Sequence, residues 1–191
     1  MSSQEDILEI RWHGRGGQGA KTAALLFAEA QMHSGKYVQA FPEYGPERGG
    51  APVTAFNRVS DKPIRTHSQI ENPDFVVVLD LSLLSSIDIT EGLHHEDKIL
   101  FNARKIPQAS CYSLKNYQIF LVDASGISQK VLEKNLPNTP MLGALIKALD
   151  LDLEKNLEAF KEKMIAKFKD KGIVEKNIQA IREAYNSVVE I

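Results

Sequence analysis

A chain of 191 residues, 43% hydrophobic and 25% charged, carries enough apolar material for one globular domain with its own core, which excludes a disordered segment. Its 23 basic and 25 acidic residues (net charge −2) are interspersed, so the electrostatic footprint of a nucleic-acid binder is absent. The polar, acidic opening MSSQEDILEI and the lack of any apolar run near ~20 residues point to a cytoplasmic protein with no membrane partner, and Cys111, the sole cysteine, excludes an internal disulfide or a cysteine-ligated iron–sulfur cluster held by this chain alone.

Ile7 to Trp12 reads as a first strand, the glycines from Gly14 to Gly19 as a turn, and Ala20 to Met32 as a helix stopped by Ser34-Gly35. KYVQAF, from Lys36, is β-prone and is expected to return as a second strand parallel to the first across a helical crossover. Prolines and glycines between Phe41 and Pro52 forbid a regular element, after which Val53 to Val59, the turn Asp61-Lys62-Pro63 and Ile64 to His67 suggest a β-hairpin insertion. The continuously apolar FVVVL (Phe75 to Leu79), KILFNA from Lys98 and YQIFLVDA from Tyr117 fit parallel strands buried on both faces. Beyond Pro137, Met141 to Leu149 forms one helix. Leu153, Leu157, Phe160, Met164 and Phe168 mark a second, and Val174, Ile178, Ile181, Tyr185 and Val188 a third. The class is α/β: a single domain over 1–191 with a mostly parallel, Rossmann-like sheet flanked by helices, a β-hairpin insertion and C-terminal amphipathic helices.

The turn in WHGRGGQGAKT matches two phosphate-binding patterns incompletely. A nucleotide-hydrolysing loop needs its lysine directly after the last glycine. Here Ala20 intervenes, and one extra helical residue turns Lys21 by roughly a hundred degrees, away from the loop mouth. A dinucleotide site needs an acid ending the second strand ~20 residues on, where this chain has Phe41-Pro42. Glycines that merely permit a tight turn leave Arg15 and Gln18 unexplained. An arginine and an amide beside a helix N-terminus suit a phosphate or another polar ligand. No catalytic group is assigned to this chain: Ser82, Ser85 and Ser86 lack nucleophile context, His94-His95 beside Glu96-Asp97 lacks metal-ligand spacing, and Cys111 has no basic neighbour to activate it.

Taken together, GRGGQGAKTAA, EYGPERGGAPV, NPDFVVVLD and PNTPMLGAL resemble the gamma subunit of the 2-oxoacid:ferredoxin oxidoreductases, from about Ile7 to the C-terminal helices. EYGPERGGAPV is more similar to the pyruvate branch than to the 2-oxoglutarate branch. The resemblance implies one component of a pyruvate oxidoreductase that makes acetyl-CoA and CO2 from pyruvate and coenzyme A and reduces ferredoxin or flavodoxin. It also implies alpha, beta and delta partner subunits that hold thiamine diphosphate, magnesium and the iron–sulfur clusters. No cofactor is then held by this chain alone, and coenzyme A is a substrate of the complex.

Coenzyme A phosphates would suit Gly14, Arg15, Gly16, Gly17, Gln18 and Gly19, with Asn138 and Thr139 as further contacts where another helix begins, unless these two simply cap it. The charged, proline-braced loop Glu43, Tyr44, Glu47, Arg48, Gly49 and Gly50 is expected to contact a partner subunit. A stand-alone NAD-linked oxidoreductase and a non-catalytic binding module remain the alternatives.

Overall fold

The structure, a computed structural model, describes residues 7–42, 49–107, 114–168 and 170–191. In chain order they form β1 (Ile7–Arg15), α1 (Ala20–His33), β2 (Tyr37–Pro42), β3 (Pro52–Ser60), β4 (Phe75–Val78) and a 3-10 turn (Leu81–Ser85). There follow β5 (Lys98–Asn102), β6 (Gln118–Val122), α2 (Ala124–Leu132), α3 (Asn138–Ala148), α4 (Leu153–Lys167), α5 (Lys171–Ser187) and the short β7 (Val189–Glu190). The strands make one mixed sheet in the order β2-β3-β1-β4-β5-β6-β7. Its core, β1-β4-β5-β6, is parallel, and antiparallel pairs close both ends.

The α/β class, the sheet's parallel centre and the direction of β2 follow the sequence reading; the second strand of the expected hairpin does not. β2 runs parallel to β1 but is not its neighbour, because β3 lies between them and pairs antiparallel with both. Ile64 to His67 forms no strand, so the hairpin is made by β2 and β3. With both edges of β3 taken, the segment after it is held by side chains instead: Arg58 Nη2 donates to the Ser68 carbonyl at 2.8 Å, and Gln39 Nε2 to that of Thr66 at 3.0 Å. Pro63 removes a ladder donor from the same stretch.

Strand alternation sorts the sheet's two faces. Ile10 and Trp12 of β1, Phe75 and Val77 of β4, Leu100 of β5, and Phe120 and Val122 of β6 point to one core, shared with α1, α3, α4 and α5. Trp12 Nε1 donates to Asn57 Oδ1 at 2.7 Å, and Asn57 Nδ2 donates to the Ala24 carbonyl at 2.9 Å, which ties α1 to the sheet through a buried polar bridge. Val76, Val78, Ile99, Phe101, Ile119 and Leu121 point the other way, into a second core covered by Ile89 and Leu114. The second face becomes polar at β1 and β3. Arg58, 1% exposed, donates to Glu9 Oε1 at 2.6 Å and to Gln39 Oε1 at 3.2 Å. Arg11 Nη2 donates to the carbonyls of Ile89 (3.0 Å) and Glu91 (2.6 Å).

On the helical layer, α3 crosses α5 with backbone in contact: a methyl group on Gly143 would collide with the Ile181 carbonyl oxygen. Gly143→Ala gains helix propensity of about 1 kcal/mol but must push two helices apart. The expected outcome is a net loss of roughly 1–3 kcal/mol, read as a lower Tm in thermal denaturation. His13 is also buried on the polar half-face, and burial, reinforced by the Arg11 charge, lowers its pKa to about 3. The folded state therefore refuses a proton that the unfolded chain accepts near pH 6.5. The stability associated with neutral His13 is complete above that pH and declines as pH falls toward 3, by about 1.4 kcal/mol per unit. Between pH 7 and 5, His13→Leu should remove about 2 kcal/mol of the acid-induced loss measured by urea denaturation.

Candidate functional site

β1 delivers the glycine turn to the carboxyl end of the sheet's parallel centre, beside the end of β4, as the continuing bond from Leu79 N to the His13 carbonyl shows (2.8 Å). Gly16 is fastened from both sides, its amide donating to the Ala51 carbonyl at 2.8 Å and its own carbonyl accepting from Gly50 N at 3.2 Å. Gly19 closes the turn in the left-handed region, at φ 81°. A Cβ there would also lie 2.8 Å from the Asn138 side chain, so the position requires glycine on two counts.

Arg15 and Gln18, expected to reach a ligand, are engaged within the chain. Arg15 Nε and Nη2 donate to Ser82 Oγ at 3.0 and 2.8 Å, and Nη1 to the Gly50 carbonyl at 3.1 Å. Gln18 Oε1 accepts from Arg15 N at 2.8 Å, while Gln18 Nε2 donates to Asp80 Oδ2 at 2.7 Å. Asp80 Oδ1 accepts from Ser82 Oγ at 2.6 Å and from Ser82 N at 2.9 Å, and its other oxygen lies 3.5 Å from Arg15 Nε. A closed ring of Arg15, Ser82, Asp80 and Gln18 thus braces the turn. Partial burial opposes ionisation of Asp80. The bonds from Ser82 and Gln18 and the Arg15 charge outweigh it and hold the carboxyl below its ordinary value.

Asp80 and Ser82 were not among the expected site residues. Their signal was an aspartate ending a buried parallel strand next to a glycine turn, a pattern too common to single out.

The outward side of the turn is built from backbone. The amides of Ala20, Lys21 and Thr22 precede the first intrahelical bond of α1, Ala23 N to the Gly19 carbonyl, and the N-cap residue, Gly19, supplies no side-chain cap. α3 also starts without a side-chain cap, at Pro137, whereas Asp123, Asp152 and Asp170 cap α2, α4 and α5. Asn138 therefore sits against Gly19 in the first turn of α3, not at its cap, with Thr139 buried beside it.

Two cavities open here. One, about 540 Å³, is walled by Arg15, Gly16, Gly17, Lys21, Thr22 and Gly49. Lys21, expected to turn away, contributes to this wall. The other, about 510 Å³, shares Gly17, Gly19 and Thr22 with the first and adds Asn138 and Thr139. It continues between apolar side chains such as Leu26, Leu136, Met164 and Phe168, with Lys134, Lys163 and Lys176 around it.

Gly14 stands inside the ladder of β1, paired with Val53, so it belongs to the strand. Gly50 supports the turn from within the chain through its bonds to Gly16 and Arg15, and Gly49 lines the first cavity. Glu43, Tyr44, Glu47 and Arg48 lie outside the described residues, as does Cys111. Among the described residues, no group of three or more His, Cys, Asp or Glu side chains is arranged to hold a metal ion, and no helix is long and apolar enough to cross a membrane. Asp80→Ala strips acceptors from Gln18, Ser82 and Arg15 together. The expected cost is roughly 2 kcal/mol by chemical denaturation, with faster hydrogen exchange at the amides of Arg15 and Ser82.

Relatives can be placed beside this geometry. A family model for pyruvate ferredoxin/flavodoxin oxidoreductase matches residues 9–187. The chain is 45% identical to pyruvate synthase subunit PorC of Thermotoga maritima over 98% of each chain. It is 48% identical to the pyruvate/ketoisovalerate oxidoreductases common subunit gamma of Thermococcus kodakarensis, over 96% of this chain and 98% of that one. The crystal structure of pyruvate oxidoreductase subunit PORC from Thermotoga maritima matches with a TM-score of 0.83 at 42% identity, covering 96% of this chain and 98% of that one. A match spanning strand, glycine turn, sheet and C-terminal helices alike means that the chain belongs to the pyruvate ferredoxin/flavodoxin oxidoreductase family.

Proposed function

We propose that this chain is the gamma component of a multisubunit pyruvate oxidoreductase, inactive alone, whose complex makes acetyl-CoA and CO2 from pyruvate and coenzyme A and passes electrons to ferredoxin or flavodoxin. Full-length similarity to proteins named as subunits of such enzymes supports this reading. In it, thiamine diphosphate, magnesium and the iron–sulfur clusters reside on the alpha, beta and delta partners, and this chain contributes placement of a substrate. A relative named as common to pyruvate and ketoisovalerate oxidoreductases does not itself choose between those acids, so we assign that choice to the partner chains.

The substrate we assign to the glycine turn is coenzyme A. The observation that carries the assignment is the meeting of the two cavities at Gly17, Gly19 and Thr22. At the junction lie the uncapped amides of α1 and α3, which favour phosphate through partial positive charge and directed N–H groups. Away from it runs an apolar cleft with lysines around it, suited to an extended molecule that carries both phosphates and an apolar arm. Arg15 and Gln18 act here by holding the turn in shape, and the ligand is met by backbone amides and by Lys21.

Loss of one charge-assisted phosphate contact costs about 1.5–3 kcal/mol, or roughly ten- to a hundredfold in affinity. In the assembled enzyme, Lys21→Ala should therefore raise the KM for coenzyme A by about tenfold or more and leave that for pyruvate near its original value. Steady-state kinetics on complexes of matched subunit and cluster content provides the measurement. Unaltered coenzyme A saturation would leave the turn as a packing element.

A further inference from the structure

On the sheet face opposite the helices, His13 is 6% exposed, and neither of its ring nitrogens has a hydrogen-bond partner. Burying a neutral imidazole this way leaves one donor and one acceptor unserved, a state that native interiors rarely tolerate. The side chain lines an open cavity of about 770 Å³ between β1, β3 and the segments 69–72 and 87–92, with Phe56 and Thr54 in its wall. The cavity's charges are unevenly placed. Arg11 also lines it, its guanidinium bonded to the carbonyls of Ile89 and Glu91, while Glu71, Asp88 and Glu91 are exposed carboxylates on the solvent side. Asp88 additionally caps Thr90, accepting from its amide at 2.9 Å and its hydroxyl at 2.6 Å.

From this arrangement we infer that the cavity is a socket for a lysine or arginine carried on a loop of a neighbouring subunit. Three carboxylates against one guanidinium, whose Nη2 is already bonded to two carbonyls, leave the mouth negative, which selects a cationic side chain and steers its approach. The cation's N–H donates to the bare imidazole nitrogen of His13, and a carbonyl oxygen of the same loop accepts from the ring N–H. Phe56 packs against the aliphatic stem. Such a contact satisfies both ring nitrogens at once, whereas an anionic ligand would leave the bare imidazole nitrogen unserved and meet three carboxylates. The inference rests on the chain being a subunit of a larger enzyme. It concerns the face of the sheet away from α1 and uses none of the residues assigned to coenzyme A.

The test uses the wild-type chain and three variants, Glu71→Lys, Glu91→Lys and His13→Leu, each co-expressed with the other subunits of the native enzyme. Glu158→Lys, on exposed α4, serves as the control. Both charge reversals should weaken association by about tenfold or more, with an altered salt dependence, while the control leaves it unchanged. His13→Leu separates docking from folding. Removing two orphaned polar atoms should keep or raise the isolated chain's Tm while lowering its affinity for the complex, an opposition that a merely structural histidine would not produce. If the wild-type chain assembles and all three variants assemble with the same affinity, solvent alone serves His13 and the socket is wrong. If the wild-type chain itself joins no complex, the oxidoreductase-subunit reading fails, and the socket with it.

Discussion

The structure hangs on the two-sided pairing of β1. Nine of its residues pair antiparallel with β3, and four of the same residues pair parallel with β4. A strand committed on both edges cannot slip by one residue without sending every side chain to the wrong face. That commitment places Ile10 and Trp12 under α1 and sends Arg11 and His13 to the opposite side. It also fixes where the strand ends, so Arg15 emerges at one place, next to Asp80 and Ser82 at the end of β4. The chemistry of both candidate surfaces follows from the register of this one strand.

At the turn, charge is spent on construction. A guanidinium, a carboxylate, a hydroxyl and an amide satisfy one another in a ring, leaving the backbone amides to face outward. Such a loop is organised before any ligand arrives, so binding costs little in ordering. The helix starts divide: three carry aspartate caps, while α1 and α3, which meet at Gly19 and Asn138, have no side-chain cap from their N-cap residues. In a small α/β domain, an uncapped helix start beside a glycine turn is a place where the amides' partner is expected from outside the chain.

Much of the fold was legible because its strongest signals are local. FVVV, KILFN and QIFLV are short apolar runs that a parallel sheet buries on both faces, and all three became central strands. α1 and the C-terminal helices could be read from periodicity and stop signals. Strand order could not. Whether β2 or β3 lies beside β1 depends on edges tens of residues apart in sequence, and nothing near Ile64 announces that both edges of β3 are already occupied. At the site, the sequence pointed to Arg15 and Gln18 as unusual, but their partners lie more than sixty positions away at Asp80 and Ser82. The residues read as ligand contacts also brace the turn through bonds to those distant partners. His13 was silent for a similar reason, since a histidine in a strand shows no sign of which face will bury it.

Trp12 is the only tryptophan in the chain and is fully buried. Its indole meets Phe27 of α1 at 6.5 Å between ring centroids and hydrogen-bonds to Asn57, which in turn holds the Ala24 carbonyl. The molecule's one strong fluorophore is therefore placed at the seam between sheet and first helix, three residues ahead of Arg15. Lifting α1 from the sheet would wet the indole and shift its emission to the red, whereas side-chain rearrangements confined to the turn would leave it dry. The isolated subunit carries an intrinsic optical gauge of how firmly the helix behind its glycine turn is seated.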